Sequence, residues 1–218
     1  MKQPLTLVHA SDIHLDTDYY GGDRNLGGRD YYRSVFAHLL QRIVALQPHL
    51  FLLPGDLFDH NRASDDTVRW CMDQFAALPC PILMIPGNHD CLQENAVFHR
   101  HDFNRLPNLT LLLEEQGLQV DLPELNVSAW GRAIVEHAPE FRPLQGLPAP
   151  TPLRWNLAMG HGIYVGKDGN PYRSSPISAP EIEASGYDYV ALGHHHALLD
   201  VSAGSTRAWY SGAPVPLM

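Results

Sequence analysis

Cysteine is scarce in this sequence: Cys71, Cys80 and Cys91 are the only three in 218 residues, and no two stand at CxxC spacing. An odd trio without that spacing excludes a disulfide framework and a cysteine-built zinc site, and it suits a reducing compartment. Long apolar runs are also missing. None reaches the roughly 18 residues a membrane-spanning helix needs, and Met1 to Ala10 has no apolar stretch behind a basic start. Neither a signal peptide nor membrane contact is expected, and a cytoplasmic location follows. Basic charge is in deficit, 15 Lys and Arg against 24 Asp and Glu, for a formal net charge of −9. That balance argues against wrapping nucleic acid with a broad basic face, although divalent cations held by some of the aspartates would reverse the local field. With 44% hydrophobic and 18% charged residues, the composition is that of a globular chain long enough for one domain over residues 1–218. There is no internal repeat and no charge block.

What is present in excess is histidine, 13 residues, and much of the excess shares one context. Pro81-Ile82-Leu83-Met84-Ile85 is a short apolar run of the kind buried on both faces of a sheet, and Pro86-Gly87 then turns the chain into Asn88-His89-Asp90. Four other runs repeat the design. Leu5 to His9 leads into Ser11-Asp12-Ile13-His14, and His49 to Leu53 into Gly55-Asp56-Leu57-Phe58-Asp59. Leu157 to Met159 leads into Gly160-His161, and Tyr187 to Leu192 into Gly193-His194-His195-His196. The C-terminal strand edge is where open α/β sheets place their ligands.

In chain order, the loop from Leu15 to Gly28 has a length typical of segments that bind or move. Asp30 opens a helix to about Leu46, stopped by Pro48, and Ser64 caps a second helix bearing Val68, Met72 and Phe75. The order βαβαβ predicts an α/β fold with a parallel sheet. Beyond Asp90, the runs Leu109–Leu113, Leu118–Leu122 and Leu125–Trp130 suggest a second, more antiparallel sheet. Five prolines between Ala138 and Trp155 exclude a regular element there. Ser178-Ala179-Pro180-Glu181 has the form of a capping box, and 197–201 with 206–210 reads as a hairpin around Gly204.

Strand side chains alternate, so Asp12 and His14 should face one ion, and His194 and His196 should aim at a common centre with His195 turned away. Asp56 is placed to offer an oxygen to each of two ions, and Asn88 supplies a neutral oxygen. Asp, Asn and His without thiolates suit Mn²⁺, Fe or Zn²⁺. Two such ions polarise a phosphoryl group and lower the pKa of a bridging water, so phosphoester hydrolysis is the reaction they serve most directly.

Asp12-x-His14, Gly55-Asp56-x-x-Asp59, Gly87-Asn88-His89-Asp90, Gly160-His161 and Gly193-His194-x-His196, in this order, resemble the five blocks of the calcineurin-like metallophosphoesterases. The resemblance implies a four-layer αββα sandwich, two mixed β-sheets flanked by helices, with a site for two divalent metal ions, Mn²⁺ above all, at the strand ends. Asp12, His14, Asp56 and His196 would hold one ion, and Asp56, Asn88, His161 and His194 the other. His89 would be catalytic, acting on the transition state or the leaving oxygen, with Asp59 orienting its ring. Ser11 to Asp16, Gly55 to Asp59 and Tyr210 to Leu217 further resemble the SbcD-like DNA repair exonucleases. That branch implies in-line attack by a metal-bridging hydroxide on DNA or another phosphodiester, and an SbcC-like ATPase as partner. Its members continue into a DNA-contacting cap and an ATPase-docking segment, whereas this sequence stops at Met218. A homodimer is a further expectation, oligomers being common among relatives.

Plainer roles weigh on the residues around the motifs. Asp90 reads as a brace of its turn, Asp16 as a turn residue and His195 as an exposed spacer. Arg62, after the Asp59 block, and Tyr164, Lys167 and Arg173, after His161, are the candidate substrate contacts; aromatic and basic groups together suit single-stranded nucleic acid. Three functions compete: a phosphodiester-cleaving nuclease, a phosphoesterase acting on nucleotides or lipid head groups, and a non-catalytic metal-binding subunit.

Overall fold

The computed structural model describes residues 4–17, 28–136, 138–152, 155–166 and 175–215. Its elements run β1 (Leu7–His9), α1 (Gly28–Leu46), β2 (Leu50–Pro54), α2 (Asp65–Ala76), β3 (Ile82–Ile85), α3 (Val97–Arg100), β4 (Leu109–Leu111), β5 (Leu118–Leu122) and β6 (Val127–Gly131). They continue as β7 (Trp155–His161), β8 (Ile163–Val165), β9 (Pro176–Ser178), α4 (Ala179–Ser185), β10 (Tyr189–Gly193), β11 (Leu199–Asp200) and β12 (Arg207–Tyr210).

Two principal sheets result, ordered β1-β2-β3-β4 and β11-β12-β10-β7-β6-β5, with β8 and β9 as a small separate pair. The first sheet is parallel throughout. In the second, β12, β10, β7 and β6 are parallel, and antiparallel pairing is confined to β11 and β5 at its edges. The second sheet is thus the more antiparallel of the two, as expected, but only at its edges, and one of the runs expected there lies elsewhere. Leu109 to Leu111 joins the first sheet, because Ile82 pairs with Leu109, and short strands at 118–122 and 127–131 do not by themselves reveal which neighbours they will take.

The layering follows from strand alternation. On β2, Phe51 and Leu53 face Phe36, Leu40 and Ile43 of α1 and Val68, Met72 and Phe75 of α2. The alternate residues Leu50 and Leu52 face the second sheet, meeting Val127, Ala129, Leu157, Met159 and Ala191. The far side of that sheet, with Trp130, Ala158, Val190 and Tyr210, packs on Ile177 and on Ile182 of α4. A strand buried on both faces has no polar side, which is why β2 and β3 read as unbroken apolar runs. The helix stops are local. Ser64 Oγ accepts from Thr67 N at 3.3 Å at the start of α2, Ser178 N donates to Glu181 Oε2 at 2.8 Å before α4, and α4 ends at Gly186 with φ +64°. Among the described residues no helix is long and apolar enough to cross a membrane.

Candidate metal centre

Of the cation-binding candidates only His161, the last residue of β7, stands on a strand. β1 ends at His9 and β10 at Gly193, and Asp12, His14, Asp56 and His194 all have positive φ, at 58°, 53°, 55° and 100°. Such backbone is uncommon outside glycine and costs roughly 1–3 kcal/mol per residue. It persists here because the two loops brace each other. Ile13 N and His14 N both donate to Asp56 O, at 2.8 and 3.1 Å, while Leu15 N donates to Leu57 O and Asp59 N to Leu15 O, at 2.9 and 3.0 Å. Left-handed turns, and not strand alternation, aim these side chains.

The consequence for the paired histidines differs from the sequence expectation. Asp12, His14 and His196 come together, as do Asp12, Asp56 and His161, the ligand atoms of each group lying within 4.8 Å of one another. His194 parts from His196: its Nδ1 is 2.8 Å from Asn88 Oδ1, which is 2.9 Å from His161 Nε2. The left-handed residue at 194 breaks the alternation that would have put the two rings on one side. His195 is exposed and rests edge-on against Tyr210, ring centroids 5.5 Å apart.

Glycines allow the loops to close. Gly55 has φ +91°, and a Cβ there would strike the His161 ring; one on Gly193 would collide with the Pro54 carbonyl oxygen. That oxygen accepts from His161 Nδ1 at 2.9 Å. A carbonyl only accepts, so His161 carries its hydrogen on Nδ1 and directs a lone pair from Nε2 toward Asn88 Oδ1 and Asp56 Oδ2, at 2.9 and 3.3 Å. On the other side His14 Nδ1 donates to Asp59 Oδ1 at 3.1 Å, and its Nε2 faces His196 Nε2 at 3.3 Å. Lone pairs facing lone pairs require either a proton or a cation between them. Asp12, Asp56, Asp90, His14 and His161 are all buried, and buried charges demand a counter-charge. The donor set, three kinds of nitrogen and oxygen ligand with no thiolate, fits divalent cations.

The electrostatics agree. Burial alone would lower the pKa of His161, but Asp56 and Asp12 outweigh it and raise it to about 9. Burial likewise opposes ionisation of Asp56, yet the surrounding histidines hold its carboxyl well below the usual range. Desolvation with the Asp56 charge pushes Asp90 up to about 6. Asp90 accepts from Gly87 N at 2.7 Å and from Phe58 N at 3.1 Å, so it ties the loop after β3 to the loop after β2. Asp16 does more than form a turn: it accepts from Ser64 N at 2.9 Å and from Thr67 Oγ1 at 2.6 Å, anchoring the first loop to the start of α2.

His89 sits at the rim, its side chain 38% exposed. Its Nδ1 donates to the main-chain carbonyl of Asp59 at 2.8 Å, whereas the Asp59 carboxylate is 3.5 Å away and makes its hydrogen bond to His14. Asp59 thus positions two histidines with two different groups. Arg62 is exposed on the loop before α2. Tyr164, on β8, packs half-buried against the core around Ile177 and Tyr210. Lys167 and Arg173 lie outside the described residues. Ser11 and Ser211 stand in the SbcD-like blocks, which assign them no role at the site, and the structure joins them to it: Ser11 donates to the Asp12 carboxylate, and its Oγ is 3.0 Å from that of Ser211. Only the fold brings residue 211 to residue 11.

Two packed sheets between helices, with Asp, Asn and His groups able to hold cations at the strand ends, define the class as an α/β protein with a candidate metal site. The chain belongs to the calcineurin-like phosphoesterase family, whose model matches residues 5–198. It is similar to the uncharacterized metallophosphoesterase YhaO of Bacillus subtilis, 31% identical over 97% of this chain and 53% of that one. It is also similar, at 30% identity over 39% of this chain and 23% of the relative, to the DNA double-strand break repair protein Mre11 of Methanococcus maripaludis. The chain therefore spans about half the length of YhaO. A solved crystal structure 12% identical superposes with a TM-score of 0.63, covering 97% of this chain and 91% of its own, and shows the same fold.

Proposed function

We propose that the chain is a dinuclear metal-dependent phosphodiesterase acting on DNA. The observation that carries this reading is the convergence of Asp12, His14, Asp56, Asn88, His161, His194 and His196, from four loops and the end of β7, into two adjoining clusters. Asp12, His14 and His196 with Asp56 would hold one cation, and Asp56, Asn88, His161 and His194 the second. Mn²⁺ suits this mixture of imidazole and oxygen donors. Bound there, the cations supply Lewis acidity toward a phosphoryl oxygen and lower the pKa of a water between them.

The rest falls to the chain's own groups. The Asp59 carbonyl fixes the His89 hydrogen on Nδ1, leaving Nε2 at the exposed rim to hold or pass a proton at the leaving oxygen. Asp59 and the Pro54 carbonyl orient His14 and His161 from behind. The similarity to a DNA double-strand break repair protein supports DNA as the substrate, as do the SbcD-like blocks. The acidic balance of the chain favours the second reading, a small phosphodiester.

The test is hydrolysis by Mn²⁺-loaded protein of end-labelled single- and double-stranded DNA beside bis(p-nitrophenyl) phosphate, with His89→Ala as control. Loss of roughly 10²–10⁴-fold in turnover with both cations retained is the expected result for the variant. Cleavage of the small diester with DNA untouched would shift the substrate, and inert metal-loaded protein would overturn the reading.

A further inference from the structure

The first sheet ends at β1, whereas the second continues past β10 into β12 and β11. At that overhang lies a cavity of about 270 Å³ lined by Leu7, His9, Tyr189, Leu198, Trp209 and Ser211. It adjoins the metal centre in two ways. Ser211 on its wall is 3.0 Å from Ser11, which donates to Asp12, and the chain passes from His196 to Leu198 in two residues. The cavity and the cradle are therefore separated by two serines, Ser211 on the wall and Ser11 behind it.

The chemistry of its wall is defined by a chain of hydrogen bonds. His9 Nε2 lies 3.1 Å from the Leu192 carbonyl oxygen and Nδ1 lies 3.1 Å from the Tyr189 hydroxyl. The carbonyl only accepts, so His9 is protonated on Nε2, and its Nδ1 must accept from Tyr189. Burial keeps the ring neutral, its pKa lowered to about 4. The Tyr189 hydrogen is thus committed, and toward any ligand its oxygen can only accept. Trp209 is half-buried at the same wall, and an indole of this kind is a stacking surface for any base.

We propose that this cavity is the subsite for the nucleobase beside the scissile phosphodiester, the base stacking on Trp209 and donating an N–H to the Tyr189 oxygen. The assignment rests on the phosphodiesterase reading above and names how that site would prefer nucleotides over other diesters. It also accounts for nucleotide recognition in a chain with few cations, because stacking and a neutral acceptor require no positive charge.

The experiment compares kcat/KM for the p-nitrophenyl ester of thymidine 5′-monophosphate with that for bis(p-nitrophenyl) phosphate, which has no base. In Trp209→Leu the ratio of the two should fall about tenfold, the loss of one stacked base, and in Tyr189→Phe it should fall by a smaller factor. An unchanged ratio in both variants overturns the subsite while leaving the phosphodiesterase reading intact. If wild-type protein hydrolyses neither ester, that reading fails, and tryptophan fluorescence decides the subsite separately. Saturable quenching by thymidine 5′-monophosphate that is lost in Trp209→Leu supports it; absence of quenching overturns it.

Discussion

Replacing Asp59 by alanine separates two accounts of the centre. The motif alone casts Asp59 as the group that orients His89, which predicts a damaged catalytic step with metal binding intact. The structure places its carboxylate 3.1 Å from His14 Nδ1, a charge-assisted hydrogen bond, and 3.5 Å from His89, beyond hydrogen-bonding range. His89 is held instead by the Asp59 main-chain carbonyl at 2.8 Å, which alanine retains. The substitution should therefore release the ring of His14 and weaken the cation held with Asp12 and His196. Loss of a partner that orients a metal-bound histidine lowers affinity by about 10–100-fold, or roughly 1.4–2.7 kcal/mol. Asp59→Asn should keep most of the affinity, since its amide oxygen still accepts from His14. The assay is titration of metal-free protein with Mn²⁺, followed by electron paramagnetic resonance, with kcat measured at saturating metal. Unchanged affinity together with a collapsed kcat would refute the assignment and restore Asp59 to His89.

Three other outcomes can be measured directly. Asp90→Ala leaves the N–H groups of Gly87 and Phe58 buried without their acceptor, at about 1–3 kcal/mol each; urea denaturation should show a loss of a few kcal/mol, and an unchanged midpoint would remove Asp90 from its bracing role. In metal-free protein the His161 pKa is raised from 6.5 to about 9, so its stabilising contribution is fully present below pH 6.5 and is lost as pH rises through about 9. Melting temperature should fall across that window in chelator and not in Mn²⁺, where the cation replaces the proton; parallel profiles would contradict this. Gly193→Ala drives a methyl into the Pro54 carbonyl that holds His161, so it should lower both the melting temperature and the affinity for the second cation, and a variant matching wild type in both would show that the loops can yield.

The residue pattern carries a great deal by itself. Five apolar runs ending in Asp, Asn or His identify the α/β class, the strand ends as the site and the ligand types, because burial on both faces and chelation each demand particular residues. The helix boundaries at Ser64 and Gly186 are equally local, being written in capping chemistry. Other features depend on contacts distant in sequence. The assignment of Leu109 to the first sheet, and the parallel core of the second, are set by which strands bury each other, and 3-to-5-residue apolar runs are interchangeable in that respect. The parting of His194 from His196 needs a left-handed residue held by the fold: His194 N donates to the Asp12 carboxylate at 3.0 Å across 182 positions. Strand periodicity predicted the opposite because it assumes the strand continues. Asp59 shows the same limit at finer scale. Its place in the motif marks it as a partner of histidines, but whether carboxylate or carbonyl serves which ring depends on distances of 2.8 and 3.1 Å that only packing fixes. Ser211 reaches Ser11, and Trp209 the cavity wall, because β12 pairs with β10, and no local property of residues 207–211 encodes that neighbour.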